Sequence, residues 1–449
     1  MLWEYQECGR ASFGDVRLTR RLISLVGTLA EHPNLSIPEA LGTWAAIKAA
    51  YRFFDNEKVT PDPIFGAHRE ATLERIEDQS VILAIQDTTV LDYTSHPSTQ
   101  GTGPIGQAGL PLSGFFLHAC LAVSPEGGVP LGILAHHLWV RPPEPMDGNQ
   151  KSRPLEDKES ARWINMTREV AQVVPPSTRV VMIGDRESDI FDLLLLANSN
   201  HDFLIRARWN RCLAQSEARL WDTVEKTPPL GQTTIDVPRN DNRPTRTATV
   251  TVRAATVTLE PPASRKKENL PTVTVNALLI QEVSPPEGVQ PIQWRLLTTL
   301  PIATFEAALQ CLTWYTYRWR IERYFFILKS GCQVEQLELE TQERLANAAA
   351  VYSIVAVRLL SLTYQARQSP DAPCTVALSD SEWKALYAAT HKTAIVPATP
   401  PDLKTAILWI AKLGGFIGRK GDGQPGVKVL WRGFRHLQDL TIMWNIFNP

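Results

Sequence analysis

Apolar and polar positions follow three textures along the 449 residues. Residues 14–54 read as helices. Asp15 stands as an N-cap before Val16-Arg17-Leu18-Thr19-Arg20-Arg21-Leu22-Ile23, and an Ala-rich second helix is predicted over 38–54. From residue 81 the pattern turns to α/β. Val81-Ile82-Leu83-Ala84-Ile85 is a continuous apolar run, the mark of a buried strand, and the stretches 114–123 and 131–138 predict two more. A Pro-rich loop (141–154), a helix (about 158–174) and a strand (179–183) follow. Between about 205 and 300, short β-branched runs at 248–252, 256–259, 273–279 and 295–299 predict an all-β insertion. After 303 the pattern is helical again, through about 330 and then over 340–367. The tail from 380 is mixed, with a Gly-rich basic stretch at 414–426, and no internal repeat is present.

Composition adds a large apolar fraction, 44%, which excludes a disordered or fibrous chain. Net charge is −1, which by itself argues against a nucleic-acid binder. The sum conceals a division, however. Residues 1–200 carry 17 basic against 25 acidic residues, a net −8, and residues 201–449 carry 29 against 22, a net +7. Six cysteines without a close pair fit neither a disulfide framework nor a zinc spacing and suit a reducing compartment. The start has no signal-peptide pattern, and no apolar run approaches the 18 or so residues of a membrane span. His136-His137 would point to opposite faces of a strand, which disfavours metal ligation. These features predict a soluble cytoplasmic protein with no membrane partner.

Two carboxylates stand where α/β sheets place their chemistry. Asp87 follows one apolar strand in Gln86-Asp87-Thr88-Thr89, and Asp185 follows another in Gly184-Asp185-Arg186-Glu187-Ser188-Asp189. Each has a plainer role open to it: Asp185 as the cap of a helix starting at Arg186, Asp87 as the opening of a turn. As a pair they could bridge divalent cations. On one continuous helix, Tyr315, Arg318, Glu322 and Lys329 fall in a single stripe about 60° wide, while Tyr317, Ile321, Tyr324 and Leu328 supply a packing face. A solvated face with Arg318 and Glu322 paired at i,i+4 remains the alternative.

With these residues the chain resembles the DDE transposases of the insertion-sequence-four type, which include the transposon-five transposase. The signature Y-x2-R-x3-E-x6-K is matched by Tyr315, Arg318, Glu322 and Lys329, and the two aspartate motifs are similar. Gly14-Asp15-x-Arg17-x3-Arg21-Leu22 and Tyr51-Arg52-Phe53 are similar to the family's end-recognition module. Lys158-Glu159-Ser160-x2-Trp163 and Trp294-x-Leu296-Leu297-Thr298 match as well.

The resemblance implies an α/β fold: an RNase H-like core with a mixed five-stranded sheet and a β-rich insertion at about 205–300. Helical amino- and carboxy-terminal parts would flank this core. Implied domains are end recognition over 1–65, catalysis over 66–370 and a mainly helical dimerisation region over 371–449. Implied chemistry is Mg2+-dependent cut-and-paste transposition, with Mn2+ as a substitute. Asp87, Asp185 and Glu322 would hold two ions. Arg318, Lys329, Tyr315, Arg186 and Trp319 would handle DNA, as would Arg17, Arg21 and Arg52 at the transposon ends. Trp294 would receive a flipped base or, alternatively, pack as a strand tryptophan. The implied partners are double-stranded DNA, as terminal inverted repeats and target, and a second copy of the chain in the nucleoid of a bacterial-type cell. Phe325 and Phe326 replace polar and basic side chains of the transposon-five protein, and Leu18 stands where a further basic residue is expected. A catalytically inactive or inhibitory derivative would show a missing acid or a missing amino-terminal module. All three acids and Asp15, Arg17 and Arg21 are present. A stand-alone nuclease would leave both terminal segments without a task.

Overall fold

A computed structural model describes residues 3–106, 110–142, 154–237, 246–419 and 424–448. Most of the Pro-rich loop at 141–154, and residues 420–423 of the Gly-rich basic stretch, lie outside the described residues. The amino-terminal part is helical: α1 (Trp3–Cys8), α2 (Val16–Glu31), α3 (Ile37–Leu41), α4 (Trp44–Phe54) and α5 (Pro61–Ile76). Asp15 caps α2 as expected, its side chain accepting the Arg17 N–H at 2.9 Å. The single helix expected over 38–54 is instead two. Ser36 and Glu39 form a capping box on α3, Gly42 ends it at φ 66°, and Thr43 caps α4 afresh.

The strands are β1 (Val81–Asp92), β2 (Gly103–Pro104), β3 (Ser113–Val123), β4 (Pro130–Trp139), β5 (Arg179–Gly184) and β6 (His201–Arg206), with α6 (Ala161–Val173) and α7 (Phe191–Leu194) between β4 and β6. After α8 (Leu220–Glu225) come β7 (Gly231–Val237), β8 (Arg246–Leu259), β9 (Val273–Glu282) and β10 (Gln293–Thr298). Helices α9 (Phe305–Thr316), α10 (Trp319–Phe326), α11 (Gln342–Gln368), α12 (Asp380–His391), α13 (Leu403–Leu413) and α14 (Val427–Phe447) complete the chain. The tail is therefore helical among its described residues, not mixed.

Two compact units divide these elements. The first comprises Met1–Glu77, Thr88–Asp147 and Arg320–Pro449, and the second Asp78–Asp87 and Gly148–Trp319. Strand β1 passes from one to the other. In the second unit the strand order is β1-β5-β6-β10-β9-β8-β7, parallel from β1 to β6 and antiparallel beyond. The runs expected at 248–252 and 256–259 are one strand, β8. Nor do the insertion strands stand apart, because β10 pairs with β6 and carries the core sheet onward. The free edge of β6 would otherwise leave its backbone donors unpaired, and β10 satisfies them.

In the first unit β3 pairs antiparallel with β4, and α11 runs through the helical core. α11 is the one described helix long and apolar enough to cross a membrane, contrary to the expectation that no such run exists. Its apolar window is 89% buried inside the protein, among α2, α5, β4, α13 and α14.

A charged node ties α1 to this unit. Glu7 accepts the Nδ1–H of His68 at 2.6 Å and a hydrogen bond from Arg75 at 2.5 Å, while His68 Nε2 accepts the Ile133 N–H at 3.0 Å. Burial alone would raise the Glu7 carboxyl, but His68 and Arg75 together hold it down at about 2. A depressed carboxyl contributes stability above its unfolded value of 4.5 that is lost as pH falls towards about 2. Glu7→Gln is therefore expected to lower stability by about 1–3 kcal/mol at neutral pH. It should also flatten the decline of the melting temperature between pH 5 and pH 2. An unchanged acid limb would contradict this role.

Candidate active site

The two aspartates are placed by strand register. β1 and β5 are parallel, with Val81 opposite Arg179 and Ile85 opposite Ile183. Asp87 and Asp185 each lie two residues beyond that last pair, so they share a face at the same end of neighbouring strands. Asp87 is not past the end of its strand, as the sequence suggested, because β1 continues to Asp92. What ends there is its pairing with β5. Between Ile85 and Asp87, Gln86 points the other way and is 2% exposed; its amide donates to Thr167 Oγ1 on α6 at 3.0 Å. One turn earlier on α6, Trp163 packs against Gly184, where any larger side chain would overlap Ser188 and approach the indole ring. Thus the residues flanking both acids are fixed by α6.

Asp185 directly follows β5 and takes the plainer of its expected roles, capping the short turn Arg186–Ser188 by accepting the Glu187 N–H at 2.8 Å. Glu187 in turn pairs with Arg162 at 2.6 Å.

The third motif is not one continuous helix. α9 ends at Thr316, Tyr317 and Arg318 form a break, α10 starts at Trp319, and Ile327–Gly331 is a π-helical turn. The stripe expected from a single helix therefore does not exist as such. The break frees Arg318 to turn towards Asp87, with Nη1 at 3.3 Å from its carboxylate; Arg318 is 7% exposed and its guanidinium lies 4.8 Å from the centre of the exposed Trp319 ring. Tyr315, 3% exposed, meets Trp294 of β10 edge to face at 5.8 Å, so Trp294 is a half-buried strand residue in this arrangement.

Burial pushes the Tyr315 hydroxyl up to about 12, against the pull of Arg318 and Arg206. Its oxygen is buried with no hydrogen-bond partner among the described residues. Arg206, at the end of β6, was missed by the sequence reading. Burial lowers its pKa, and Tyr315, Arg186, Arg318 and Asp185 all act on it electrostatically. Its only sequence signal was an arginine directly after a buried strand.

Glu322 lies in the first turn of α10 and belongs to the other unit. In that unit Lys329 sits on the π-helical turn and pairs with Glu335 at 3.0 Å, and Glu335 also accepts the Asp92 N–H. Phe325 is buried, whereas Phe326 is exposed beside Trp431. Among the described residues no three His, Cys, Asp or Glu side chains are grouped as for a metal ion. The donors just beyond the β1–β5 pairing are nevertheless of the right kind. Two carboxylates beside the buried Arg318 and the half-buried Arg206 fit a hard, oxygen-preferring cation together with phosphate, and the unpartnered Tyr315 hydroxyl is a donor for a phosphate oxygen.

Three family models match the chain. One described as transposase DNA-binding covers residues 1–59, one described as transposase DDE domain covers 159–358, and one described as transposase Tn5 dimerisation domain covers 354–444. The chain belongs to the Tn5-like DDE transposases. Its mixed α/β fold is consistent with an RNase H-like core, and it is a metal-dependent enzyme of DNA cleavage and transfer that binds DNA and forms homodimers. Asp185 and Glu322 fall within the matched DDE segment, and Asp87 precedes it.

In the transposase's DNA-binding segment the expected basic residues are placed unevenly. Arg17 is exposed but pairs with Asp15 at 2.7 Å, Arg21 is half-buried, and Arg52 is exposed on α4. Trp44 (76% exposed), Lys48, Tyr51 and Arg52 form an aromatic and basic face on α4. The sequence reading had named Tyr51 and Arg52 there but not the tryptophan.

Proposed function

We propose that the chain catalyses cut-and-paste transposition of an insertion sequence. It would nick at the terminal inverted repeats, form and resolve hairpin ends, and join the freed 3′-ends to target DNA. The observation that carries this reading is the paired register of Asp87 and Asp185, with Arg318, Arg206 and the buried Tyr315 hydroxyl beside them. Asp87, Asp185 and Glu322 would hold two Mg2+ ions, with Mn2+ able to substitute. When bound, the ions would activate the attacking hydroxyl and stabilise the leaving oxygen of an in-line displacement.

The chain's own side chains do the positioning. Arg318 and Arg206 offer planar forks to phosphate oxygens, Tyr315 donates a hydroxyl, and Arg186 and Lys329 supply further charge. Trp319 is exposed beside Arg318 and adds a stacking face. Trp294 would receive a base turned out of the stack during hairpin formation, since aromatic stacking of about 1–3 kcal/mol offsets an unstacking cost of similar size. Arg17, Arg21 and Arg52, within an end-recognition domain of about 1–65, would grip the terminal repeats. A catalytic domain over 66–370 and a dimerisation region over 371–449 would pair two ends. An inhibitory derivative is disfavoured because the three acids are present and a DNA-binding model matches 1–59, and a stand-alone nuclease because a dimerisation model matches 354–444.

The test incubates full-length protein with Mg2+ and the terminal repeats that flank its own gene, and looks for nicked and then hairpin ends on denaturing gels. Nicks without hairpins would reduce the reading to a nuclease; no cleavage at all would remove it. End binding should also weaken steeply with salt, as phosphate contacts release counterions, and a flat salt profile would contradict a basic DNA face.

A further inference from the structure

The loop that follows β6 combines a fixed backbone with a bare aromatic ring. Asp189, whose side chain is fully buried, accepts the backbone N–H groups of Arg208 at 2.7 Å and Trp209 at 3.0 Å, and pairs with the Arg211 guanidinium at 2.5 Å. From the other side Trp221 donates its indole N–H to the Trp209 carbonyl at 3.1 Å and its backbone N–H to Asn210 Oδ1 at 2.9 Å. Trp209 itself is 53% exposed, with the Arg208 guanidinium 5.0 Å from its ring centre.

A buried carboxylate is costly unless its hydrogen bonds are made, and those of Asp189 all go to this one loop. What the charge accomplishes is therefore the placing of Trp209. A tryptophan on a slack loop would fold back against apolar neighbours; here the pinned backbone holds it out, and the adjacent Arg208 and Asn210 are exposed and polar. An isolated ring among polar and cationic groups suits a nucleobase better than an apolar protein surface, because every base offers a π-face and its phosphate an anion. The location is also defined. β5 and β6 are parallel with Gly184 opposite Ile205, so Asp185 and Arg206 come next at the same end of the two strands. Trp209 follows Arg206 by three residues, within about 10 Å of chain.

We propose that Trp209, with Arg208, is a stacking platform for an unpaired base of a DNA strand lying at the Asp185–Arg206 end of the sheet. Asp189 is the positioning residue that holds the platform. The inference deepens the proposed function and rests on it for taking that end of the sheet as the place where DNA strands are processed.

Full-length protein is titrated with a blunt duplex and with the same duplex bearing a single-stranded 3′ extension that carries 2-aminopurine. Wild type should favour the extended DNA about tenfold, with quenching of the 2-aminopurine as it stacks. In Trp209→Ala the affinity ratio should fall to about one and the quenching vanish, and Trp209→Phe should restore most of both. Asp189→Asn should show the same loss of quenching as Trp209→Ala. Because Trp209 is exposed, Trp209→Ala keeps the test decisive even where Asp189→Asn folds poorly. The platform is overturned by a Trp209→Ala variant that retains the ratio and the quenching, by equal weakening on both DNAs, or by a wild type without preference. Failure of the cut-and-paste reading would register separately, as absent cleavage of the terminal repeats.

Discussion

Asp185→Asn is expected to reduce DNA strand cleavage about 10³-fold or more while end binding in a gel shift persists. The change is chosen to isolate charge from shape. An asparagine side chain caps a turn as well as aspartate does, so the Glu187 N–H keeps its acceptor and the end of β5 keeps its form. Only the negative charge, and with it the hold on a divalent cation, is lost. Asp87→Asn should behave alike in cleavage but carry a second, smaller effect. Arg318 is buried against Asp87, and a neutral partner would weaken that charge pair, at a stability cost of about 1–3 kcal/mol. Glu322→Gln completes the set. The measurement is nicking of a plasmid that carries the terminal repeats, run beside a gel shift and a melting curve. Cleavage at wild-type rate by any one of the three would remove that residue from the proposed metal site.

The second large effect is expected far from the acids. Where α13 ends against α14, Gly414 and Gly433 allow the two backbones to touch: a methyl group at Gly433 would overlap the carbonyl of Ile410, and one at Gly414 the carbonyl of Val429. The obstruction is backbone rather than the tip of a flexible side chain, so no rotamer relieves it. Gly433→Ala should force the helices apart and cost about 2–4 kcal/mol. α13 and all but the last three residues of α14 lie within the segment matched by the dimerisation model, so the dimer fraction in sedimentation should fall together with the melting temperature. A Gly433→Ala protein that melts and sediments as wild type does would show that the crossing tolerates separation.

Much of the candidate site was legible because its parts are local. An apolar run followed by aspartate identifies a strand end, and the spacing of Tyr315, Arg318, Glu322 and Lys329 is a fixed string. The continuation of β1 could also have been read, since Thr88, Thr89 and Val90 favour strands. The break at Tyr317–Arg318 could not, because no Gly or Pro marks it. Arg318 pairs there with a carboxylate 231 residues away in sequence, a tertiary contact that local preference does not report. Arg206 and the hold of Asp189 on Arg208–Arg211 escaped for the same reason: each depends on strands that meet only in the folded sheet. The β-rich segment was found but its pairing with β6 was not, because period-2 patterning announces a strand without naming its neighbour.

The buried helix α11 has a consequence for how the molecule is made. Its earlier partners, α2, α5 and β4, leave the ribosome before it, but α13 and α14, which cover it from the other side, are synthesised last. Until then one side of the 27-residue helix, which contains an apolar window of 18 residues, lacks its cover and is open to a chaperone. The carboxy-terminal helices thus complete the cover of this apolar helix. An interrupted message that stops short of α13 would yield a sticky fragment instead of a smaller transposase.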